Sequence, residues 1–280
     1  MHLTERSLTW QLLVEPDGRP GAENMAVDQA LLDESDRTGR AFLRLYRFSP
    51  PCLSLGRNEP ARARYDRAVI TRLGITVVRR PTGGRAVWHE HEVTYTVAAP
   101  LAALGGRGDA VRDSSVAIHR RLAAALRSLG VAATLAPRAR APGLGAGACF
   151  SAPVGGEVVV DGQKVIGSAQ VRLGRAFLQH GSILLGGSQD LLTAVRLKPQ
   201  AASGEATGHE PQATRGGTTL SAVLGRPVTF QEVADAIVEA FQRGVGAQHA
   251  APLHFSATAL HRPPPPFTAL FSDSAWTWRR

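Results

Sequence analysis

Two side chains of the sequence could together carry out acyl transfer: a cysteine thiol and a lysine ammonium. Cys149 follows a Pro/Gly/Ala stretch over 137–148 that has no hydrophobic periodicity, so we expect a loop there. The thiolate is the nucleophilic form of cysteine, and a nearby cation lowers the pKa of the thiol.

Lys164, in a β-rich stretch, could supply that cation or stabilise the oxyanion of an acyl-transfer intermediate. It could equally be a sheet-edge lysine whose stem covers apolar surface. We expect Lys164 to share a strand face with Ile166 and Ser168.

A basic, glycine-rich turn is the second candidate element. Arg80 ends a strand-like stretch, and the turn that follows contains Thr82, Gly83, Gly84 and Arg85. Glycine lets the backbone approach a ligand closely, and the amides of such a turn can hold an anion or a carbonyl oxygen. Gly-Gly turns also connect ordinary strands, so the turn alone does not identify a binding loop.

Histidines offer a further, weaker signal. His180 lies in a strand-like stretch, where a histidine is usually hydrogen-bonded into a core. His89 and His91 are close in sequence, but no Cys, His or Asp cluster completes a metal site. We therefore expect neither a metal nor a cofactor.

Composition narrows the classes of function. The net charge is +9, but the arginines are scattered and aromatic residues make up only 6%, which disfavours base stacking on nucleic acid. A basic surface would suit an acidic protein partner. The chain has no apolar run of about 18 residues and no signal-peptide pattern, so we expect a cytoplasmic protein without a membrane span. Cys52 lies in an apolar run and is expected to be buried.

Helix and strand patterns alternate along the chain and predict one α+β domain built on a mixed sheet. Asp161-Gly162 separates two β-rich runs and predicts a tight hairpin. The polar, Gly- and Pro-containing stretch 198–217 predicts a long loop. Helices are predicted over 23–36, 110–129 and after the capping pair Thr229 and Glu232, and a half-buried strand over 42–48.

Four segments, in order, resemble the biotin/lipoate protein ligase superfamily, and more narrowly its octanoyltransferases of the LipM type. They are RRPTGGRAVWHEHEVTYTV, ACFSAP, GQKVIGSAQ and LQHGSILL, and the resemblance extends to ENMAVDQALL and SAWTWRR. It implies a fold like the class II biotin synthetase catalytic domain, a mixed sheet flanked by helices. The expected organisation is a single domain over 1–280, with a catalytic core over about 38–245 and a C-terminal tail, 246–280, packed on it.

The resemblance also implies an activity and a set of site residues. Octanoyl would pass from octanoyl-acyl carrier protein to a lysine of a lipoyl domain, usually that of the glycine cleavage H protein, during lipoate assembly. Cys149 would become the acyl thioester, and Lys164 would lower the pKa of its thiol. We expect no nucleic-acid or membrane partner, and a monomer. The residues implied around the acyl group are Arg80, Thr82, Gly83, Gly84, Arg85, His89, Gly167, Ser168, Ala169, Gln170, His180 and Gly181.

Three alternatives stay open. ATP-dependent lipoate–protein ligases of the same fold use a Gly-Gly-Gly turn and need no cysteine, whereas this chain has Arg85 at the third position. An amidotransferase that moves octanoyl from the H protein to dehydrogenase E2 subunits also uses a cysteine, so the sequence separates it poorly. An inactive carrier-binding or nucleic-acid-binding module is the third.

The chain has Val154, Gly155 and Gly156 where the octanoyltransferases often carry a bulky aromatic, so we expect that wall of the pocket to differ.

Overall fold

The computed structural model describes residues 9–104, 110–137, 155–197, 217–243, 254–257 and 265–280. Its strands are β1 (Thr9–Arg19), β2 (Ala41–Phe48), β3 (Cys52–Leu55), β4 (Thr76–Arg79), β5 (Val87–His89), β6 (Glu92–Pro100), β7 (Thr134–Leu135), β8 (Val158–Val160), β9 (Gln163–Lys164), β10 (Ile166–Leu173), β11 (Ala176–Leu184) and β12 (His254–Ala257). Its helices are α1 (Gly21–Thr38), α2 (Ala61–Arg64), α3 (Arg67–Arg72), α4 (Ala110–Ser128), α5 (Leu191–Ala194), α6 (Leu220–Leu224), α7 (Phe230–Arg243), α8 (Pro265–Ser272) and α9 (Ser274–Thr277).

A six-stranded mixed sheet, in the order β10-β11-β6-β2-β1-β12, organises these elements. The pairs from β10 to β2 are antiparallel, while β1 pairs in parallel with both β2 and β12. Two smaller sheets, β4-β3-β5 and β7-β8-β9, accompany it. The predicted mixed sheet flanked by helices is confirmed.

Helices cover both faces of the large sheet. On one face α1 packs its Val27 and Leu31 against Leu13, Phe42 and Leu178. On the other face α4 and α7 supply the apolar side chains that meet β2, β6 and β11. The prediction that β2 is half-buried was therefore wrong, because its alternation of apolar and basic residues does not reflect a solvated face: Arg44 is fully buried.

The hairpin predicted at Asp161-Gly162 is confirmed. Both residues have positive φ, 48° and 73°, as a type I′ turn requires, and Val159 pairs with Lys164 across the turn. The chain then changes sheets: Lys164 ends β9 in the small sheet and Ile166 begins β10 in the large one. Lys164 and Ser168 consequently do not share a strand face, and that prediction was wrong.

The C-terminal segments pack on the rest of the protein. β12 extends the large sheet beside β1, and α8 lies against α1. The indole of Trp276 donates to the carbonyl of Arg79, and the Arg79 guanidinium donates to the carbonyl of Thr277. The division into a core over 38–245 and a tail stays a prediction.

Several predictions fall outside the described residues. They include Cys149 itself, most of the loop over 137–148, and all but the last residue of the stretch 198–217. Among the described ranges, no helix has both the length and the apolar character that crossing a membrane requires.

Candidate active site

A cleft lies where β2, β6, β10 and β11 of the large sheet meet the β4-β3-β5 sheet. Seven of the predicted site residues line it: Arg80, His89, Gly167, Ser168, Ala169, His180 and Gly181. The other residues lining the cleft are Met25, Tyr46, Phe48, Ser54, Val87, Thr94 and Ser182.

The cleft has a buried apolar end and a more exposed mouth. Met25, Tyr46 and Phe48 are at most 6% exposed, whereas Ser168 and Ala169 on β10 are partly exposed. β10 is an edge strand of the large sheet.

At Gly181 the wall of the cleft has no side chain, and the neighbouring atoms leave no room for one. A Cβ at this position would lie 2.8 Å from the Ser168 hydroxyl oxygen and 2.8 Å from a ring carbon of Tyr95. Such distances are too short for carbon atoms, so only glycine fits between β10 and β6 at this point.

A buried network of hydrogen bonds centred on a carboxylate includes two residues that line the cleft, Tyr46 and His180. We call it the carboxylate network (Asp28, Arg44, Tyr46, Thr96 and His180). Asp28 Oδ1 accepts hydrogen bonds from Arg44 and Thr96, both at 2.9 Å. Asp28 Oδ2 accepts from the Tyr46 hydroxyl at 3.0 Å and lies 2.8 Å from His180 Nδ1. Both oxygens of this fully buried carboxylate are thus satisfied, as burial of a charge requires.

The network also sets the state of His180. Burial lowers the pKa of this imidazole, against the opposing effect of Asp28, so the ring is neutral near pH 7. Burial alone would raise the pKa of Asp28, but the hydrogen bond from His180 and the charge of Arg44 bring it below its usual value. With the Nδ1 proton donated to Asp28, Nε2 accepts from the Thr82 hydroxyl at 2.6 Å.

The Thr-Gly-Gly turn holds the Arg80 side chain in place. Arg80 donates to the carbonyl oxygens of Gly83 and Arg85, both at 2.8 Å, and to Ser54 on β3. Gly84 has φ of 87°, and a Cβ there would lie 2.9 Å from the Arg80 guanidinium. Thr82, Gly83, Gly84 and Arg85 are not among the described residues that line the cleft. Their carbonyls and the Thr82 hydroxyl position Arg80 and His180, which do line it.

His89 is fixed in the wall by three neighbours. Its Nδ1 lies 2.6 Å from Glu92, its Nε2 lies 2.7 Å from the Ser54 hydroxyl, and its ring stacks on Phe48 at 4.0 Å. His91, in contrast, is exposed. Within the described ranges, no group of three or more His, Cys, Asp and Glu side chains could hold a metal ion.

Lys164 lies on β9, an edge strand of the small sheet, but its side chain is buried rather than extended into solvent. Its side chain is 3% exposed, and its ammonium lies 2.7 Å from Glu157; we call these two residues the lysine pair. His119 on α4 links this region to the cleft, because its Nδ1 bonds to the carbonyl of Gly156 and its Nε2 to Ser168. Burial, with Lys164 adding to it, lowers the pKa of His119 to about 4.

The remaining site residues are placed as follows. Gln170 lies on β10 and its amide donates to Gln179 at 2.5 Å, next to the mouth but not in the wall. Cys52 is buried as predicted, and burial raises the pKa of its thiol to about 12.

Sequence reasoning missed Asp28, Arg44, His119 and Glu157. A detectable signal existed for Asp28, which lies one helical turn after Met25 and one before Leu32 on the buried face of α1.

Comparison with known proteins places these features in a family. Residues 20–242 match the model of the lipoyl protein ligase A/B catalytic domain. An octanoyltransferase LipM of Kyrpidia tusciae is 38% identical over 247 residues, which cover 86% of this chain and 88% of that protein. The octanoyltransferase LipM of Carboxydothermus hydrogenoformans is 42% identical over 178 residues, covering 63% of this chain and 65% of that protein.

Solved structures share the fold. The bipartite lipoate protein ligase of Thermoplasma acidophilum, studied with its E2 lipoyl domain, matches with a TM-score of 0.72 at 20% identity, covering 97% of this chain and 96% of that one. P. falciparum LipL1 in complex with lipoate matches with a TM-score of 0.68 at 18% identity, covering 97% and 74%.

Proposed function

Because the chain belongs to the lipoyl protein ligase A/B catalytic domain family and is an octanoyltransferase of the LipM type, we propose a two-step acyl transfer for it. In the first step the Cys149 thiolate attacks the thioester of octanoyl-acyl carrier protein; the new thioester forms on Cys149 and the carrier leaves as its free thiol. In the second step a lysine amine of a lipoyl domain attacks that thioester, an amide forms, and the Cys149 thiol is released. We propose the glycine cleavage H protein as the acceptor.

The energetics of this scheme need no ATP. Exchange of a thioester between two thiols is nearly isoenergetic, and aminolysis then yields the more stable amide. The enzyme has to supply a thiolate, a group that stabilises the oxyanion, and an apolar site for the acyl chain.

One observation carries the proposal: a buried ammonium, that of Lys164, is close enough to His119 to lower its pKa, and His119 bonds to Ser168 in the wall of the cleft. Met25, Tyr46 and Phe48 form the buried apolar end of that cleft. In our scheme the octanoyl tail lies against these three side chains with its carbonyl near Ser168. Each buried CH₂ contributes about 0.8 kcal/mol, enough for the cleft to favour a medium-chain acyl group over a short one.

Most of the predicted site residues have a role in this scheme. Lys164 stabilises the Cys149 thiolate and the developing oxyanion. Arg80, His89 and His180 line the acyl site, and the Thr82 turn positions Arg80 and His180. Small residues keep the wall open for a narrow chain: Gly167, Ser168, Ala169 and Gly181.

The test is an intact-mass measurement after incubation with octanoyl-acyl carrier protein. We expect an octanoyl adduct on Cys149 that hydroxylamine removes, and we expect Cys149→Ala to abolish it. Cys52→Ala is the matched control: it should acylate like the parent, because burial raises the pKa of the Cys52 thiol to about 12. The same acylated protein should then transfer octanoyl to the H protein without ATP.

Three results would contradict the scheme. They are an adduct that survives Cys149→Ala, acyl attachment that requires ATP, and a donor preference for octanoylated H protein over octanoyl-acyl carrier protein. The last would indicate the amidotransferase activity.

A further inference from the structure

One part of the surface brings together five arginines; we call it the arginine face (Arg57, Arg62, Arg67, Arg279 and Arg280). Backbone contacts bring its members together: the amide of Arg62 donates to the carbonyl of Arg280 at 2.9 Å. The Arg279 guanidinium donates to the carbonyl of Arg57 at 2.8 Å. Arg67 donates to Ser274 and lies over the Trp278 ring. Residues distant in sequence therefore form one basic surface.

Carboxylates in the same segments offset only part of this charge. Residues 57–72 and 273–280 contain seven arginines and only three acidic residues. Glu59 is buried and accepts from the Tyr65 hydroxyl. Asp66 and Asp273 cap the N-termini of α3 and α9 through backbone amides. Like charges repel here: the pKa of Arg279 is lowered by burial and, after that, by Arg57 and Arg280.

The arginine face adjoins the cleft. The amide of Arg57 donates to the carbonyl of Thr82 at 2.7 Å, and Thr82 bonds to His180 in the cleft wall. On the other side of the same turn, a Cβ on Gly84 would lie 3.9 Å from the Cβ of Ala169 at the mouth. The turn thus separates the arginine face from the mouth of the cleft.

We propose that the arginine face docks the acyl donor, an acidic carrier protein whose acyl chain is carried on a phosphodiester-linked arm. This inference rests on the proposed function and names the partner for its first step. Guanidinium groups suit carboxylates and phosphodiesters, which they bind through paired hydrogen bonds. The acceptor delivers a lysine side chain, which is cationic until it loses its proton, so an arginine-lined approach would disfavour it. The donor is therefore the better match.

A charge-reversal variant tests this docking. In Arg57→Glu/Arg62→Glu, the bonds to Thr82, Arg79, Arg279 and Arg280 are retained, because they use only the backbone atoms of residues 57 and 62. The matched control, Arg37→Glu/Arg40→Glu, makes the same charge change on exposed side chains in the last turn of α1 and just after it. Single-turnover acylation of Cys149 is followed by intact mass with two donors: octanoyl-acyl carrier protein and octanoyl-N-acetylcysteamine, which lacks the protein and the phosphodiester.

We expect the face variant to be acylated by the carrier protein about tenfold more slowly than the control at low ionic strength, and the difference to shrink as salt is added. Acylation by octanoyl-N-acetylcysteamine, and transfer from acylated enzyme to the H protein, should change less than about twofold, since neither involves the docked donor.

Several outcomes would overturn the proposal. Equal acylation rates for the face variant and the control would do so, as would an equal loss of rate with both donors or a loss confined to the acceptor step. The proposal would also fail if the parent bound duplex DNA in a salt-sensitive way, the face variant lost that binding, and its acylation by the carrier protein were unchanged. If no donor acylates the parent protein, the proposed function fails. Docking is then still measured by the fluorescence anisotropy of labelled octanoyl-acyl carrier protein with Cys149→Ala, with and without the charge reversal.

Discussion

The two sides of the cleft are built differently. On one side the carboxylate network joins α1, β2, β6 and β11, and its central Asp28 accepts from four partners. On the other side the lysine pair lies on the small β7-β8-β9 sheet, whose strands are two or three residues long. Each side pairs its central charge: Asp28 with Arg44, and Lys164 with Glu157. The sides differ in the size of the elements that carry the pair, and we infer that the first side supplies shape and stability and the second side supplies the ammonium that the chemistry uses.

Asp28→Ala should produce the largest loss of stability on the network side. It removes the acceptor of three buried donors, Tyr46, Thr96 and His180, and leaves the fully buried Arg44 paired with Glu15 as its remaining carboxylate. Each buried polar group left unsatisfied costs about 1–3 kcal/mol, so we expect a loss of more than about 3 kcal/mol in the free energy of unfolding. Urea unfolding followed by tryptophan fluorescence measures the loss.

The control for Asp28→Ala is Glu34→Ala, which removes a more exposed ion pair with Arg37 and should cost less than about 1 kcal/mol. If Asp28→Ala costs no more than this control, the network does not carry the stability of the cleft.

Gly181→Ala should have the next largest effect. Its methyl group would collide with Ser168 and Tyr95, so we expect a loss of about 1–3 kcal/mol in the free energy of unfolding and weaker binding of the acyl chain. Gly186→Ala is the matched control, because its methyl group would meet only the Ser221 hydroxyl, at 3.9 Å. Equal stability of the two variants would show that β11 has room for a side chain.

The pH dependence of stability tests the second side through His119. The folded state keeps this imidazole neutral until about pH 4, whereas the unfolded state takes up a proton near pH 6.5. Between these values the unfolded state binds more protons, so this contribution to stability falls as pH falls from 6.5 towards 4, by at most about 1.4 kcal/mol per pH unit.

His119→Asn retains a donor for the carbonyl of Gly156 and cannot titrate, so it should flatten this part of the pH profile. His91→Asn, at an exposed histidine, should leave the profile unchanged. An unaltered slope in His119→Asn would mean that the folded protein tolerates a charged imidazole at this position.

Local sequence patterns predicted the elements better than they predicted burial. The hairpin at Asp161-Gly162 and the buried face of α7, with Val233, Ala236, Ile237 and Phe241, follow from turn chemistry and helical periodicity. One half of the predicted capping box at Thr229 and Glu232 is confirmed, because the Thr229 hydroxyl accepts a hydrogen bond from the amide of Glu232. The other half is not formed, because the Glu232 side chain pairs with Arg226.

What could not be predicted depends on residues far apart in the chain. Arg44 in β2 has the pattern of a solvated residue, and only the packing of α1 brings Asp28 to it. His180 meets a carboxylate 152 positions away. The change of sheet between Lys164 and Ile166 is likewise decided by strand pairing, which local alternation does not encode.

The central claim is that the ammonium of Lys164 acts on the thiol of Cys149, and the rate of Cys149 alkylation by iodoacetamide as a function of pH tests it most directly. Intact mass resolves this reaction, because the buried Cys52 reacts slowly. We predict that the pKa of the Cys149 thiol lies below the usual value of about 8.5 in the parent protein and rises by at least about one unit in Lys164→Met. The same thiol pKa in both proteins would contradict the account.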